Sequence, residues 1–261
     1  MPSVAITGDV HHYLGNHLIE KKEHLFAKEY LEIISEYDAK ATLFVTGKCI
    51  ENHQEHWKRL HREYPLEIGG HTYYAFQPPS IFYGYKDLFG RFGLTYGPLF
   101  YQLLDISKTV RAFEKANIPI QSWRTHAYRG DKVTGKLLPD FGIKYVSELK
   151  SLPNEKLIDL PINCYPDDHV FLATLTEKKF DPEEEMRKVK ESISKNIELK
   201  KDMVIQLHPG SMKVLDDYKT FNSIIEKLID AGYEFKTISE LGESISDNIS
   251  ESPEALAYFE G

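Results

Sequence analysis

Short apolar runs alternate with longer segments in which apolar residues recur every three to four positions, from one end of the chain to the other. The runs at 4–7, 41–45, 66–68, 120–123, 144–146, 157–160, 203–207 and 233–236 have the length and composition of buried strands. Between the first two, residues 22–37 carry Leu25, Phe26, Tyr30, Ile33 and Ile34 at helical spacing. The segments 51–64, 101–117, 132–141, 182–199 and 217–231 also read as helices. Pro65, Pro119, Gly142 and Gly232 mark stops, and Pro182 sits in a first turn. Strand–helix alternation throughout implies a parallel sheet. Seven or eight strands favour closing it into a barrel.

One stretch breaks the rhythm. Residues 75–101 are rich in aromatic residues, with Pro78-Pro79 and four glycines among them. A connection this long inside a compact domain is commonly a lid or a binding loop. Its aromatics either pack as a small core or form a stacking wall for a sugar ring, with Tyr83, Tyr85 and Phe89, and Tyr73 just before the stretch, as candidate substrate contacts. The domain reads as 1–243. The Ser- and Glu-rich tail, 244–261, is expected to be loosely ordered or to dock as a short helix through Leu256, Tyr258 and Phe259.

The 261 residues fit one α/β barrel. Hydrophobic and charged fractions of 41% and 28% exclude a disordered or fibrous chain. Net charge is −8, with no basic cluster denser than Lys178-Lys179 or Lys200-Lys201, which argues against nucleic acid as a partner. Cys49 and Cys164 are too few for a disulfide framework and read as buried thiols. No apolar stretch approaches the ~20 residues of a membrane span. The first residues lack a basic n-region, so the expected location is cytoplasmic. The exposed aromatics leave a homo-oligomer as an option.

The candidate chemistry falls at the carboxyl ends of strands, where barrel active sites are built. Asp9, His11 and His12 follow the first strand and His71 the third. Arg124 and His126 follow the run ending at Trp123, and His208 follows 203–207. One histidine would mean little, but four strands deliver an ionisable residue to one rim. A catalytic metal needs about three His or carboxylate ligands and an open position. Asp9, His11 or His12, His71 and His208 suffice for metal-assisted hydrolysis. His17, His24, His53, His56 and His61 fall in helical or loop segments and are assigned no role.

In order and spacing these residues resemble the polysaccharide deacetylases of the NodB-homology type, carbohydrate esterase family 4. Thr7-Gly8-Asp9-Val10-His11 is similar to the first motif, with Asp9 at the base and His11 where some members place an aspartate ligand. His71-Thr72-Tyr73-Tyr74-Ala75 matches the first histidine of a His-Ser/Thr-x-x-His motif but has Ala75 at the second. Arg124-Thr125-His126 keeps the Arg of Arg-x-Pro and lacks the Pro. Leu207-His208 matches the motif of the general acid. The likeness runs over about 4–241.

The resemblance implies a distorted (β/α)7 barrel with an aromatic-rich insertion after strand 3. It also implies hydrolysis of an N-acetyl or similar amide on an amino sugar or small amide. Asp9 would be the base, Arg124 its orienting partner and His208 the acid. His11 and His71 supply two ligands to a divalent metal, with zinc first and cobalt, iron or nickel as alternatives. Asp9, His12, His126 and water remain open for the third place. The loss at Ala75 leaves room for a weak or absent metal. Two other readings are a non-catalytic glycan-binding barrel and a metallophosphoesterase. The second is suggested by Gly8-Asp9-Val10-His11-His12 but lacks the later Gly-Asp and Gly-Asn-His motifs at the required spacing.

Overall fold

The structure is a computed structural model describing residues 1–12, 22–75, 90–152, 154–175 and 180–251. Its centre is a curled, all-parallel sheet. The strands are β1 (Ser3–Val10), β2 (Ala41–Val45), β3 (Leu66–Gly70), β4 (Ser122–Trp123), β5 (Tyr145–Val146), β6 (Ile158–Asp159), β7 (Met203–Gln206) and β8 (Glu234–Phe235). Their order is β6-β5-β4-β3-β2-β1-β7, and β8 pairs with Ser3 and Val4 ahead of the stretch of β1 that pairs with β2. Between β6 and β7 the circuit is bridged by Asn163, whose Oδ1 accepts from the Val204 amide at 2.9 Å. Seven strands in this order form the curled half-barrel of the expected distorted (β/α)7 fold, with β8 added beside β1.

The central strands are buried on both faces, which is why they read as continuous apolar runs rather than alternating ones. Helices cover the outside: α1 (Glu23–Glu36), α2 (Gly47–Asn52), α3 (Gln54–Glu63), α4 (Leu99–Lys115), α5 (Lys132–Leu137), α6 (Asp168–Leu175), α7 (Pro182–Glu198), α8 (Pro209–Asp216), α9 (Lys219–Asp230) and α10 (Ile238–Glu251). In α9, Phe221, Ile224, Ile225 and Leu228 form the inward stripe at i, i+3, i+4 and i+7. Phe221 stacks on Tyr30 of α1 with ring centroids 4.0 Å apart. Asp181 caps α7 by accepting the Glu183 and Glu184 amides, and Pro182 occupies its first position.

The structure departs from the sequence expectation at several points. The single helix expected over 51–64 is two, α2 and α3, broken at His53 (φ −132°, ψ 39°). The segment 132–141 is α5 followed by a 3₁₀ turn, Leu138–Phe141. Helix α8 also lies outside the expected helices, with Pro209 in its first turn. Helix α6 has no counterpart in the expectation. The third strand extends past the expected 66–68 to include Gly69 and Gly70. A Cβ on Gly69 would lie 2.6 Å from the Phe44 ring, and one on Gly70 would lie 2.4 Å from Trp123. Two large side chains cross the strand there, and only glycine leaves them room.

Of the aromatic stretch, Phe76, Phe82, Tyr83, Tyr85 and Phe89 lie outside the described residues. Tyr96 is fully buried and donates to Asp105 at 2.6 Å, so part of the stretch is core, whereas Phe92 and Phe100 are exposed. Helix α10 runs across residue 243 and buries Ile238 and Leu241; Leu256, Tyr258 and Phe259 are outside the described residues. Both cysteines are buried free thiols. Among the described residues no helix is long and apolar enough to cross a membrane.

Candidate active site

Side chains of a strand alternate between faces, so Thr7, Asp9 and His11 of β1 and the residue after it point the same way. The same parity aligns Gln206 with His208 beyond β7, and Arg124 with His126 beyond β4. His71 follows β3. These strand ends converge, so Asp9, His11, His71, Arg124, His126 and His208 meet at one rim. Close approach of β1 to the end of β7 depends on Gly8, where a Cβ would stand 2.6 Å from the Leu207 carbonyl oxygen.

Three imidazoles form the centre. His11 Nε2, His71 Nε2 and His126 Nδ1 are each 3.2 Å from the other two. Hydrogen-bond partners assign two of the tautomers. His71 Nδ1 donates to the Arg124 carbonyl at 2.8 Å, and His11 Nδ1 faces the Glu23 carboxylate at 3.0 Å. Both Nε2 lone pairs therefore point inward. Burial pushes His71 down to about 3, and burial with the neighbouring rings holds His126 well below the usual histidine range. Facing neutral lone pairs at this distance repel unless a cation lies between them. A tetrahedral ion bonded to imidazole at about 2.0–2.1 Å needs its ligand nitrogens about 3.3–3.4 Å apart. The donor set and spacing thus fit a divalent metal, and these three are the residues that meet as a metal-holding group among those described.

Asp9 lies beside this triad but outside that group, 3.6 Å from His71 Nε2. Its Oδ1 accepts from Arg124 Nη1 at 3.0 Å and its Oδ2 from Gln206 Nε2 at 3.2 Å. Burial alone would raise its carboxyl, but His71, Arg124 and the other nearby histidines outweigh it and hold Asp9 below the usual carboxylate range. Arg124 is itself fully buried. It donates also to the Ser147 carbonyl and hydroxyl at 2.8 Å each and to the Thr7 hydroxyl at 3.0 Å, and it lies over the Phe44 ring. A guanidinium with so many fixed acceptors holds Asp9 in one orientation.

On the opposite flank stands His208. Its amide and its Nδ1 donate to the two carboxylate oxygens of Asp167, at 2.7 and 2.6 Å. Its Nε2 is left facing Asp9 Oδ2 at 3.9 Å. Burial would lower this imidazole, but Asp167 reverses the balance and raises it to about 9. The ring of Phe171 in α6 packs against it, centroids 4.4 Å apart. The rim opens into a cleft of about 650 Å³ whose walls include Tyr128, Leu149, Asp168, Phe171 and Leu172.

Two sequence candidates sit elsewhere. His12 turns away from the triad toward Asn52, 2.9 Å from its Nε2. Tyr73 directs its hydroxyl to Glu51 at 2.7 Å and is not among the cleft-lining residues. Tyr83, Tyr85 and Phe89 are outside the described residues. Ala75 closes a turn on Thr72 and shares a tight crevice with His12, Thr46 and Tyr74. The third imidazole comes instead from His126, in the motif position expected to hold proline.

Asp167, Glu23, Gln206 and Phe171 are site residues that the sequence reading missed. For Gln206 the signal was available, since it shares parity with His208. Asp167 follows an irregular stretch after the two-residue β6, where no periodicity points to it.

The chain matches the family model described as polysaccharide deacetylase over residues 4–136, just over half its length. No curated protein matches it by sequence. Among solved structures it resembles a Mycobacterium smegmatis protein assigned as a polysaccharide deacetylase. That match has TM-score 0.73 and 16% identity, covering 95% of this chain and 91% of the other. It also resembles a Bacillus anthracis pseudoenzyme of carbohydrate esterase family 4, with TM-score 0.60 and 17% identity, covering 93% of this chain and 66% of that one. A Streptomyces lividans family 4 carbohydrate esterase, solved with acetate, aligns with TM-score 0.58 and 13% identity, covering 91% and 93%. At these identities the likeness is one of fold.

Proposed function

The chain belongs to the polysaccharide deacetylase family, and on that premise we propose that it is a metal-dependent hydrolase. It removes an N-acetyl or similar acyl group from an amino sugar or small amide. The observation that carries this reading is the flanking of three converging imidazole nitrogens, 3.2 Å apart, by Asp9–Arg124 on one side and His208–Asp167 on the other.

His11, His71 and His126 would hold the metal, with zinc the first candidate for an all-imidazole set. A divalent ion there supplies Lewis acidity toward the amide carbonyl. Asp9, ionised and fixed by Arg124, takes the proton of the attacking water as the new C–O bond forms. His208, charged near neutral pH, gives its Nε2 proton to the departing nitrogen as the C–N bond breaks. A carboxylic acid and an amine result, and the cycle closes when Asp9 releases its proton to solvent and His208 takes one back from it.

The non-catalytic alternative starts from the ligand missing at Ala75 and from the aromatic loop as a binding surface; a third imidazole at His126 supports the catalytic reading over it. The pseudoenzyme neighbour makes the test necessary all the same. Asp9→Asn should lower turnover of an N-acetylated substrate by about 10²–10⁴-fold, the usual share of a general base. Its metal content and melting temperature should stay near wild type. Acetate release at the wild-type rate would remove Asp9 from the role of base.

A further inference from the structure

The candidate ligand set consists of imidazoles alone, and the ring that comes from the end of β1 is His11. Behind that ring lies Glu23, the first residue of α1 and only 4% exposed. A single oxygen, Oε2, accepts both the His11 amide at 2.7 Å and its Nδ1–H at 3.0 Å. His71 differs in this respect, since its Nδ1 donates to a neutral carbonyl.

Resting on the reading of His11, His71 and His126 as ligands, we infer that Glu23 is a positioning residue of the metal centre. It locks the His11 ring with Nε2 inward, and it places behind the ring a negative charge that an all-imidazole set lacks. Three imidazoles bring no charge to a divalent ion. Asp9 is paired with Arg124 and Asp167 with His208. Glu23 is the carboxylate in contact with the ligand set that has no cationic side-chain partner among the described residues.

A buried carboxylate is costly unless compensated, and two N–H donors offset only part of that cost. The first-turn position adds the favourable end of the α1 dipole. A dication bound to the far nitrogen of the same ring offsets more, and the carboxylate in turn makes that nitrogen a better donor. A purely structural Glu23, tying α1 to the end of β1, would explain the amide contact. It would not require a charged group on Nδ1.

The test is calorimetric titration of Zn²⁺ into the metal-stripped full chain, comparing wild type, Glu23→Gln and Glu23→Ala. Glutamine keeps the shape and an acceptor oxygen but removes the charge. The expected result is Zn²⁺ affinity about 10–100-fold weaker in Glu23→Gln, at least as weak in Glu23→Ala, with the stripped glutamine variant melting within a few degrees of wild type. Equal affinity in wild type and Glu23→Gln would overturn the inference while leaving the metal centre in place. Wild type that binds no Zn²⁺ would overturn both. Nitrogen NMR of the stripped wild type gives an independent check, since finding the His11 proton on Nε2 would refute the positioning role without any variant.

Discussion

Replacing Asp167 by Asn tests how the acid of this site is made. Asp167 is fully buried and meets His208 twice, at the amide and at Nδ1. Asparagine can still accept from Nδ1 but no longer stabilises the imidazolium, and burial then works unopposed by that charge. His208 should fall from about 9 to its ordinary 6.5 or below. The lost preference for the charged ring is about 3 kcal/mol, at 1.36 kcal/mol per tenfold. An acid at 9 is about nine-tenths protonated at pH 8, and at 6.5 only about 3%. The variant should therefore lose about 30-fold in kcat/KM at pH 8 beyond any loss seen at pH 6, and its alkaline limb should move down accordingly. Stability follows the same sign. A raised imidazole contributes fully below about 6.5 and its contribution is lost as pH rises through about 9. Thermal melts of wild type should show that decline and those of the variant should not. An equal loss at both pH values, with the alkaline limb unmoved, would refute the assignment of His208 as an acid tuned by Asp167.

Two further predictions follow from the same kind of reasoning. Burial, against the hydrogen bonds from Tyr96 and Tyr73, raises Asp105 from its ordinary 3.8 to about 6. Unfolding free energy should thus fall by up to about 3 kcal/mol as pH rises from about 4 to 6, and Asp105→Asn should flatten that segment of a denaturation-versus-pH series. His126→Ala should lose bound metal by elemental analysis, and adding Ala75→His should not restore it. Ala75 is held at φ 48°, and the crevice it shares with His12, Thr46 and Tyr74 has no space for even a water molecule, so recovery of metal in the double variant would contradict this geometry.

Much of this architecture is legible along the chain because a parallel barrel hides both faces of its strands. Runs such as Ala41–Val45 then stand out as short, largely apolar, non-alternating segments with glycine or proline behind them. The rim residues are legible for the same reason, since each follows such a run directly. What escapes is whatever depends on distance in space. Glu23 reaches His11 from the start of a helix, and Asp167 reaches His208 across 41 positions from a stretch without periodicity. No local pattern links these pairs. The boundaries at His53 and at the 3₁₀ turn after α5 escape because a backbone break between two helical segments leaves the side-chain pattern nearly intact.

Parity, applied more strictly, resolves what motif matching leaves open. If Asp9 faces the barrel mouth, His11 must share its face and His12 must not. If Arg124 reaches inward to Asp9, as its 3.0 Å contact requires, then His126 two residues on is brought to the same side. The third imidazole of the cluster thus comes from the segment after β4, two residues beyond Arg124, and not from position 75. The site consists of three converging imidazoles between two buried ion pairs of opposite polarity, one presenting a carboxylate and the other an imidazolium. This division lets base and acid coexist 3.9 Å apart without exchanging their proton, because each is held in its charged form by a partner on its far side.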